Sequence, residues 1–253
     1  MDLVYEMTRA FSFDAPGFPA LAVASVIAFY LGYIEYVWSI RIVRREHRSP
    51  FPLWVHCFYF AHDTTAGVIW FCNAQATDWF WLWTIGSPAF FLWACIEIVN
   101  MYYAYKYERQ EILGPLVHRE VTLRDFMLYV ICYVAMFYTV VNTVRIGLHD
   151  NTMWTWSVLT QTVMACAHTN LWRRRGERRG TSVKLAIYMV CSMALTYVPF
   201  GMYALSFPET HVFNHPWYYL CGIVCTAIAI ANLVYVAKLP PKERIEGEKR
   251  PIW

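Results

Sequence analysis

The chain has 253 residues, of which 58% are hydrophobic, 18% are aromatic and only 15% are charged. A soluble domain usually carries about 25% charged residues, so this composition argues against a soluble protein and indicates one that lies in the lipid bilayer. The formal net charge of +3 says little by itself. We expect membrane lipids as partners and no nucleic acid; the oligomeric state stays open.

The first 17 residues differ from a cleavable signal peptide. They contain Asp2, Glu6, Arg9 and Asp14, and so they lack a basic segment followed by an apolar core. Residues 1–13 fit a short amphipathic helix that lies on the membrane, and a disordered end is the alternative.

Seven apolar stretches are long enough to cross a bilayer, whose core of about 30 Å requires about 20 apolar residues in a helix. They lie at 18–42, 53–75, 80–105, 125–147, 152–172, 183–206 and 216–237. The short loops between them predict one all-α domain, a seven-helix transmembrane bundle, with an N-terminal segment at 1–17 and a tail at 239–253. Pro88 and Pro199 are expected to kink the third and the sixth helix.

The basic residues are distributed unevenly between the predicted loops. If seven helices cross the membrane in alternation, all of the 21 basic residues except Arg9 and Arg145 lie on one side. Lys and Arg accumulate in cytoplasmic loops, so the N-terminus is predicted to lie outside and the C-terminus in the cytoplasm. The basic residues after the last stretch are Lys238, Lys242, Arg244, Lys249 and Arg250.

Two surface features accompany this topology. The loop at 173–180 reads Arg-Arg-Arg-Gly-Glu-Arg-Arg-Gly, and we interpret it as a topology determinant that contacts anionic lipid headgroups; pyrophosphate or nucleotide binding is the alternative. Tryptophans near the opposite interface predict an aromatic belt, with the lining of a pocket as the alternative. These are Trp79, Trp81, Trp83, Trp154 and Trp156.

One carboxyl group lies near the middle of the second predicted helix, where Asp63 follows His62. An Asp at the centre of a membrane span costs at least about 2.5–3.5 kcal/mol, and such residues usually have a function. Asp63 has no basic neighbour in its own helix, and we predict that it is catalytic. Successive helical residues point about 100° apart, so His62 is not expected to form a dyad with Asp63.

Two further carboxyl groups, Glu35 and Glu97, lie in the first and third predicted helices. Burial disfavours the charged form of a carboxyl group, so at least one of the three is expected to be protonated. A protonated carboxyl in an apolar cavity can protonate an epoxide or an alkene, or relay protons, and we predict that Asp63, Glu35 and Glu97 are catalytic. The alternatives are an ion pair of Glu35 with Arg41 or Arg44, and a helix–helix hydrogen bond of Glu97.

Other polar and aromatic side chains at membrane depth are predicted to bind the substrate. Asn100 lies three residues after Glu97 and so shares its helix face. The predicted substrate-binding residues are His62, Asn100, Gln161, Asn232 and Trp93. The i, i+3 and i, i+4 pairs of zinc and di-iron sites are missing, so neither a metal nor an organic cofactor is expected.

The order of features from residue 32 to residue 63 resembles a known family. Gly32-Tyr-Ile-Glu-Tyr-Val37 precedes a short basic loop, Arg44-Arg-Glu-His-Arg48, and Ala61-His-Asp63 follows in the middle of the next span. This order is similar to the fungal integral-membrane meroterpenoid cyclases, the pyripyropene and paspaline cyclases, whose second span carries Ala-Trp-Glu. Trp156 to Gln161 and Arg175 to Ser182 look like the family's region between its fifth and sixth spans. The resemblance implies a seven-helix fold with Asp63 at the catalytic-acid position.

The chain departs from this family at two places. The family's Trp-Glu is His62-Asp63 here, and the essential Asp of the family's last span corresponds best to Asn232. The resemblance implies a cofactor-independent enzyme in which Asp63 protonates a lipophilic, isoprenoid-type substrate, as in a terpene cyclase or isomerase. Glu35 or Glu97 would position Asp63 or take the final proton.

Two other classes of function remain open. A proton- or cation-coupled transporter would use the same carboxyl groups, but such transporters usually contain internal repeats and paired broken helices, and we find neither in the sequence. A non-catalytic membrane scaffold would fit the tryptophan-rich surface and the short loops. A light-driven retinal protein is disfavoured, because the only lysine near the last span is Lys238 at its end.

Overall fold

The computed structural model describes residues 2–207 and 211–243, and every regular element within them is a helix. The prediction of an all-α protein is confirmed for this part of the chain. The helices are α1 Leu3–Ala10, α2 Phe18–Glu46, α3 Leu53–Ala76, α4 Trp81–Tyr103, α5 Arg109–Val117, α6 Leu123–Gly147, α7 Ser157–Cys166, α8 Thr169–Arg175, α9 Val183–Thr196, α10 Met202–Leu205 and α11 Pro216–Lys238. A π-helical turn at Ala104–Glu108 joins α4 to α5, and a 3-10 turn at Val212–Asn214 precedes α11.

Four helical stretches are long and apolar enough to cross a bilayer: α2, the continuous stretch Trp81–Val117, α6 and α11. They cover the first, third, fourth and seventh predicted spans. Only Phe126 and Val141 of α6 are buried, although its mean hydropathy is 1.7. An apolar helix surface that the protein itself does not cover is typical of contact with lipid, so the chain has the character of a membrane protein.

The other three predicted spans differ from the structure. Helix α3 covers the second span but is not among the four apolar helices. The fifth begins at Ser157 instead of residue 152 and is interrupted between Cys166 and Thr169. The sixth ends at Thr196, so the predicted kink at Pro199 is wrong. Proline has no N–H and disfavours a helical residue before it, and α10 therefore follows as a separate short helix.

Helix α3 lies at the centre of the bundle. It packs along α4 and α6, and more than half of its residues are buried. The contact between the two helices is close at Gly86 of α4, where an added Cβ atom would lie only 2.1 Å from Cζ3 of Trp70 in α3. Helix α9 packs against α2 and α11, and α7 packs against α11, so that α2, α7 and α9 lie around the polar face of α3.

Helix α1 packs onto the protein at one end of the bundle. Asp2 caps its first turn, and its apolar residues Leu3 and Met7 are buried in the main core. The indole N–H of Trp83 donates to Thr8 Oγ1 at 3.0 Å. The prediction of an amphipathic helix is confirmed, and its buried apolar residues pack against the protein.

The arginine-rich loop contacts the opposite end of the bundle. Arg175 is buried and pairs with Glu108 at 2.5 Å and with Glu111 at 3.1 Å. Arg178 donates hydrogen bonds to the backbone carbonyl groups of residues 236, 237 and 239 at the end of α11. These two side chains connect helix ends to each other, and the contact of this loop with lipid headgroups stays a prediction.

Glu46 at the end of α2 completes these connections. Its Oε1 atom lies 2.6 Å from Lys242 Nζ, and its Oε2 atom accepts a hydrogen bond from the backbone N–H of Gly180 at 2.8 Å. Burial lowers the pKa of Lys242, and the neighbouring Glu46 carboxylate opposes this effect. The predicted tail residues Arg244, Lys249 and Arg250 lie outside the described residues.

Candidate functional site

A cavity lies beside the middle of α3, between α2, α4, α7, α9 and α10. Its volume is about 120 Å³, close to cavities of about 150 Å³ that bind benzene in other proteins. Its walls are mainly aromatic and apolar. Phe29, Tyr36, Tyr59, Phe90, Trp93, Trp154 and Tyr203 supply the aromatic rings. Glu35 and Asp63 also line the cavity.

Asp63 and His62 form a hydrogen-bonded pair in the cavity wall. Asp63 Oδ1 lies 2.8 Å from His62 Nδ1, and both residues are buried. The prediction that these neighbours would not form a dyad is wrong, because the 100° spacing describes the Cα–Cβ directions and rotation about the side-chain bonds brings the two groups together. Asp63 Oδ2 and His62 Nε2 have no hydrogen-bond partner among the described residues.

Glu35 lies in the wall that α2 contributes. It is buried, and its side chain forms a hydrogen bond with Ser192 of α9. Its Oε1 atom has no partner within the part of the chain that the structure describes. The alternative ion pair with Arg41 or Arg44 is wrong, because both arginines are exposed and Arg41 lies over the ring of Trp38.

Glu97 lies behind the cavity wall and reaches it through Tyr36. Tyr36 Oη lies 2.6 Å from Glu97 Oε1, and His56 Nδ1 lies 2.6 Å from Glu97 Oε2. Asn100 Nδ2 donates to Glu97 Oε2 at 3.3 Å, as expected for residues on one helix face. The alternative of a helix–helix hydrogen bond is correct for Glu97, because Tyr36 belongs to α2 and His56 to α3.

The predicted substrate-binding residues fall into two groups. Gln161 and Trp93 line the cavity together with His62. Asn100 is buried beside Glu97 instead, and Asn232 lies between α11 and the α7–α8 junction, with Nδ2 3.1 Å from His168 Nε2. The position that the resemblance assigned to the family's second acid is therefore outside this cavity.

Several residues that line the cavity carry a buried polar atom without a protein partner. Among the buried side-chain atoms without a protein partner in the described residues are Glu35 Oε1, His62 Nε2, Asp63 Oδ2, Trp93 Nε1 and Trp154 Nε1, and all five residues line it. Most buried polar atoms in proteins have a hydrogen-bond partner. These five atoms are available for hydrogen bonds to a molecule in the cavity.

Sequence reasoning missed several residues of this wall. Tyr36 directly follows Glu35, and Tyr59 lies one helical turn before Asp63, so their spacing could have indicated them. Trp154 belonged to the predicted belt but is buried here, as are Trp83 and Trp156. The belt prediction is therefore wrong for these three tryptophans, and the pocket alternative is correct for Trp154.

An aromatic cluster lies between the cavity and α1. The ring centroid of Trp70 lies 4.8 Å from that of Trp83 and 5.8 Å from that of Trp154. Trp70 Nε1 donates to the carbonyl group of Thr152 at 2.7 Å, and Trp154 packs on Tyr203 with centroids 5.0 Å apart. These contacts fix large rings between the cavity and this end of the bundle.

Comparisons with known proteins give no relative for this chain: no protein-family model matches it, nor does any curated protein or solved structure. The resemblance to the meroterpenoid cyclases therefore stays a prediction. Within residues 2–207 and 211–243, no three His, Cys, Asp or Glu side chains are grouped as they are around a metal ion.

Proposed function

We propose that this chain is an integral-membrane enzyme that uses Asp63 to protonate a lipophilic, isoprenoid-type substrate. The observation that carries the proposal is the unpartnered, buried Oδ2 atom of Asp63 in an aromatic cavity. A carboxyl group in such surroundings is an effective proton donor toward a weakly basic substrate. Cavities of similar volume hold one benzene molecule, so this cavity has room for about one isoprene unit. The proposed ligand is therefore the reacting end of a longer molecule.

The hydrogen bond from His62 determines which oxygen atom of Asp63 carries the acid proton. When His62 Nδ1 donates to Asp63 Oδ1, the acid proton resides on Oδ2, the atom that has no protein partner. In the proposed reaction the O–H bond of Asp63 breaks and its hydrogen is transferred to the substrate. With an epoxide, the hydrogen bonds to the ring oxygen, and a C–O bond breaks with its electron pair staying on that oxygen. With an alkene, the π electron pair forms the new C–H bond. Either step leaves a cationic carbon. The resulting cation is stabilised by the faces of Tyr59, Phe90 and Trp93 through cation–π interactions. A C–H bond next to the cationic carbon then breaks, its electron pair forms an alkene, and the proton passes to a basic group of the cavity wall, with no cofactor required.

We also propose that seven segments cross the membrane, with the N-terminus outside and the C-terminus in the cytoplasm. The contacts at one end of the bundle support this arrangement. Residues near the ends of α2, α5, α8 and α11 meet through Glu46, Glu108, Arg175, Arg178 and Lys242. The loops that carry most of the basic residues are thus collected at one end, as the positive-inside rule requires of a cytoplasmic face.

The test uses a probe whose reaction requires only a proton. Membranes that contain the protein are incubated with an aryl farnesyl ether whose terminal double bond is an epoxide, and products are identified by mass spectrometry. Asp63→Asn removes the acid but keeps the shape, so we expect its rate of probe consumption to fall by about 100-fold or more, the usual range for loss of a general acid.

Asp78→Asn is the matched control, because Asp78 is exposed in the loop between α3 and α4. It should consume the probe at the wild-type rate. Equal consumption by the wild type and Asp63→Asn would refute the proposed function. Lipophilic molecules that co-purify with both proteins, extracted and compared by mass spectrometry, supply an independent test for an apolar ligand.

A transporter is the second candidate, because the hydrogen-bonded chain from Tyr36 through Glu97 to His56 could carry protons. The aromatic cluster around Trp70 and Trp154 argues against it, since a transport path must also open toward the other end of the bundle. Proton flux into liposomes that disappears in Glu97→Gln would favour the transporter.

A further inference from the structure

A buried chain of hydrogen-bonding groups connects the cavity with the end of the bundle where the basic loops meet. Tyr36 Oη lies 2.6 Å from Glu97 Oε1, and Glu97 Oε2 lies 2.6 Å from His56 Nδ1. His56 Nε2 lies 3.3 Å from Ser49 Oγ. Glu97, His56 and Ser49 are all buried, and each neighbouring pair contains a possible donor and acceptor.

The chain continues from Ser49 to groups near the surface. The backbone N–H of Ser49 donates to Glu108 Oε2 at 2.9 Å, and Glu108 pairs with Arg175. Arg175 in turn contacts Glu111, whose side chain is 34% exposed. The polar chain thus leads from an apolar cavity to the face that carries the basic loops.

This chain is separate from the proposed acid. No hydrogen bond between described residues joins Asp63 or His62 to Tyr36, Glu97 or His56, although Asp63 and Tyr36 line the same cavity. In the proposed reaction the proton is added to one atom of the substrate and removed from a carbon next to the cationic centre. A base that is separate from Asp63 can take the second proton directly from that carbon.

We propose that Tyr36 is the catalytic residue that ends the reaction, with Glu97 as its proton acceptor and His56 as a positioning residue. The inference rests on the proposed function. The C–H bond next to the cationic carbon breaks, and its electron pair forms the new double bond. The hydrogen passes to Tyr36 Oη while the phenolic hydrogen passes to Glu97 Oε1, so that one proton leaves the substrate and one reaches Glu97.

A phenol suits this position better than a carboxylate in direct contact with the substrate. A carboxylate oxygen beside a carbocation can capture it as an ester, whereas a neutral hydroxyl group is a weaker nucleophile and can pass a proton on to Glu97. Tyr36 lines the cavity, and the hydrogen bond from its hydroxyl group holds the Glu97 carboxyl group 2.6 Å away.

The experiment measures the products as well as the consumption of the epoxide-bearing aryl farnesyl ether. In Tyr36→Phe the ring remains and the hydroxyl group is lost, so initiation by Asp63 continues while correct deprotonation fails. We expect the share of the wild-type alkene among the products to fall by about tenfold, a smaller effect than the about 100-fold rate loss typical of a missing general base. Alcohols from capture of the cation by water and isomeric alkenes should replace it. Glu97→Gln should change the products in the same direction.

Tyr33→Phe is the matched control one helical turn earlier, because the Tyr33 hydroxyl group contacts the carbonyl of Ala89 and does not line the cavity. It should keep the wild-type product ratio. An unchanged ratio in both Tyr36→Phe and Glu97→Gln would overturn the inference and leave the role of Asp63 intact. Complete loss of consumption in a folded Tyr36→Phe protein would also overturn it, because Tyr36 would then act in initiation. If the wild type shows no Asp63-dependent consumption, the proposed function fails and the inference fails with it.

Discussion

His62 and Asp63 illustrate how much depends on one hydrogen bond at membrane depth. A lone carboxyl group in an aromatic cavity could rotate, and either oxygen could carry the proton. The 2.8 Å contact between His62 Nδ1 and Asp63 Oδ1 leaves Oδ2 as the atom without a protein partner. General acids act efficiently only when the proton is aimed at the reacting atom, so we assign His62 the task of aiming it.

Two substitutions of His62 should separate this task from simple packing. His62→Phe keeps an aromatic ring but removes the donor, and we expect the rate of probe consumption to fall by about 100-fold, as for a misaligned general acid. In His62→Asn the side-chain amide can take the place of Nδ1–H, so most of the rate should remain. The rates are measured in membranes with equal amounts of protein. Equal losses in both variants would contradict the aiming role.

The place of Asp63 in a polar site inside the bundle could be predicted from the sequence, because a carboxyl group in the middle of an apolar helix is costly. Its bond to His62 could not, since it depends on side-chain rotation that helical periodicity does not describe. Tyr36 was missed for a related reason. Tyrosine is common in apolar helices, and only the contact with Glu97 across two helices distinguishes this one.

Among the elements, α3 and α4 hold the cavity wall in place through close backbone packing. Trp70 fills the space above Gly86 and is fixed by its hydrogen bond to Thr152. The same tryptophan belongs to the aromatic cluster between the cavity and α1. The absence of a side chain at Gly86 therefore makes room both for the close contact of α3 with α4 and for a ring next to the site.

We expect Gly86→Ala to destabilise the protein. Its Cβ atom would lie 2.1 Å from Cζ3 of Trp70, and overpacking in a well-packed core costs about 1–3 kcal/mol. Gly147→Ala is the control, because no heavy atom lies within 4 Å of the added Cβ and alanine favours helix over glycine. Thermal unfolding in detergent should show a lower midpoint for Gly86→Ala alone; an unchanged midpoint would disprove the close contact.

Element boundaries were predictable where hydropathy alone decides them, as in α2, α6 and α11. They were less predictable in the fifth and sixth stretches, where the composition stays apolar although the backbone leaves the helix. The break before Pro199 follows from proline's missing N–H, and a window of mean hydropathy does not detect it. Residues 152–156, the beginning of the predicted fifth stretch, form turns instead of a helix. Asp150 accepts hydrogen bonds there from Thr152 and Trp156.

At the scale of the whole molecule, the two ends of the bundle have different chemistry. One end carries α1 and the tryptophan cluster, and its contacts are mainly aromatic. The other end joins Glu46, Glu108, Arg175 and Lys242 in buried ion pairs. Removal of one partner of a buried ion pair strongly destabilises a protein, because it leaves an uncompensated buried charge. These residues therefore hold the helix ends together at the end of the bundle that is proposed to face the cytoplasm.

The proposed orientation can be tested without knowledge of the substrate. A glycosylation sequence Asn-Xaa-Ser placed on an extension before residue 1 should be modified in the lumen of the endoplasmic reticulum, and the same sequence added after residue 253 should stay unmodified. A fluorescent protein that folds only in the cytoplasm should fluoresce when fused to the C-terminus. This result is expected because nearly all basic residues then lie in cytoplasmic loops, where they are normally retained. Modification of both ends would require an even number of crossings, and that would separate the loops whose side chains meet through Glu46 and Lys242.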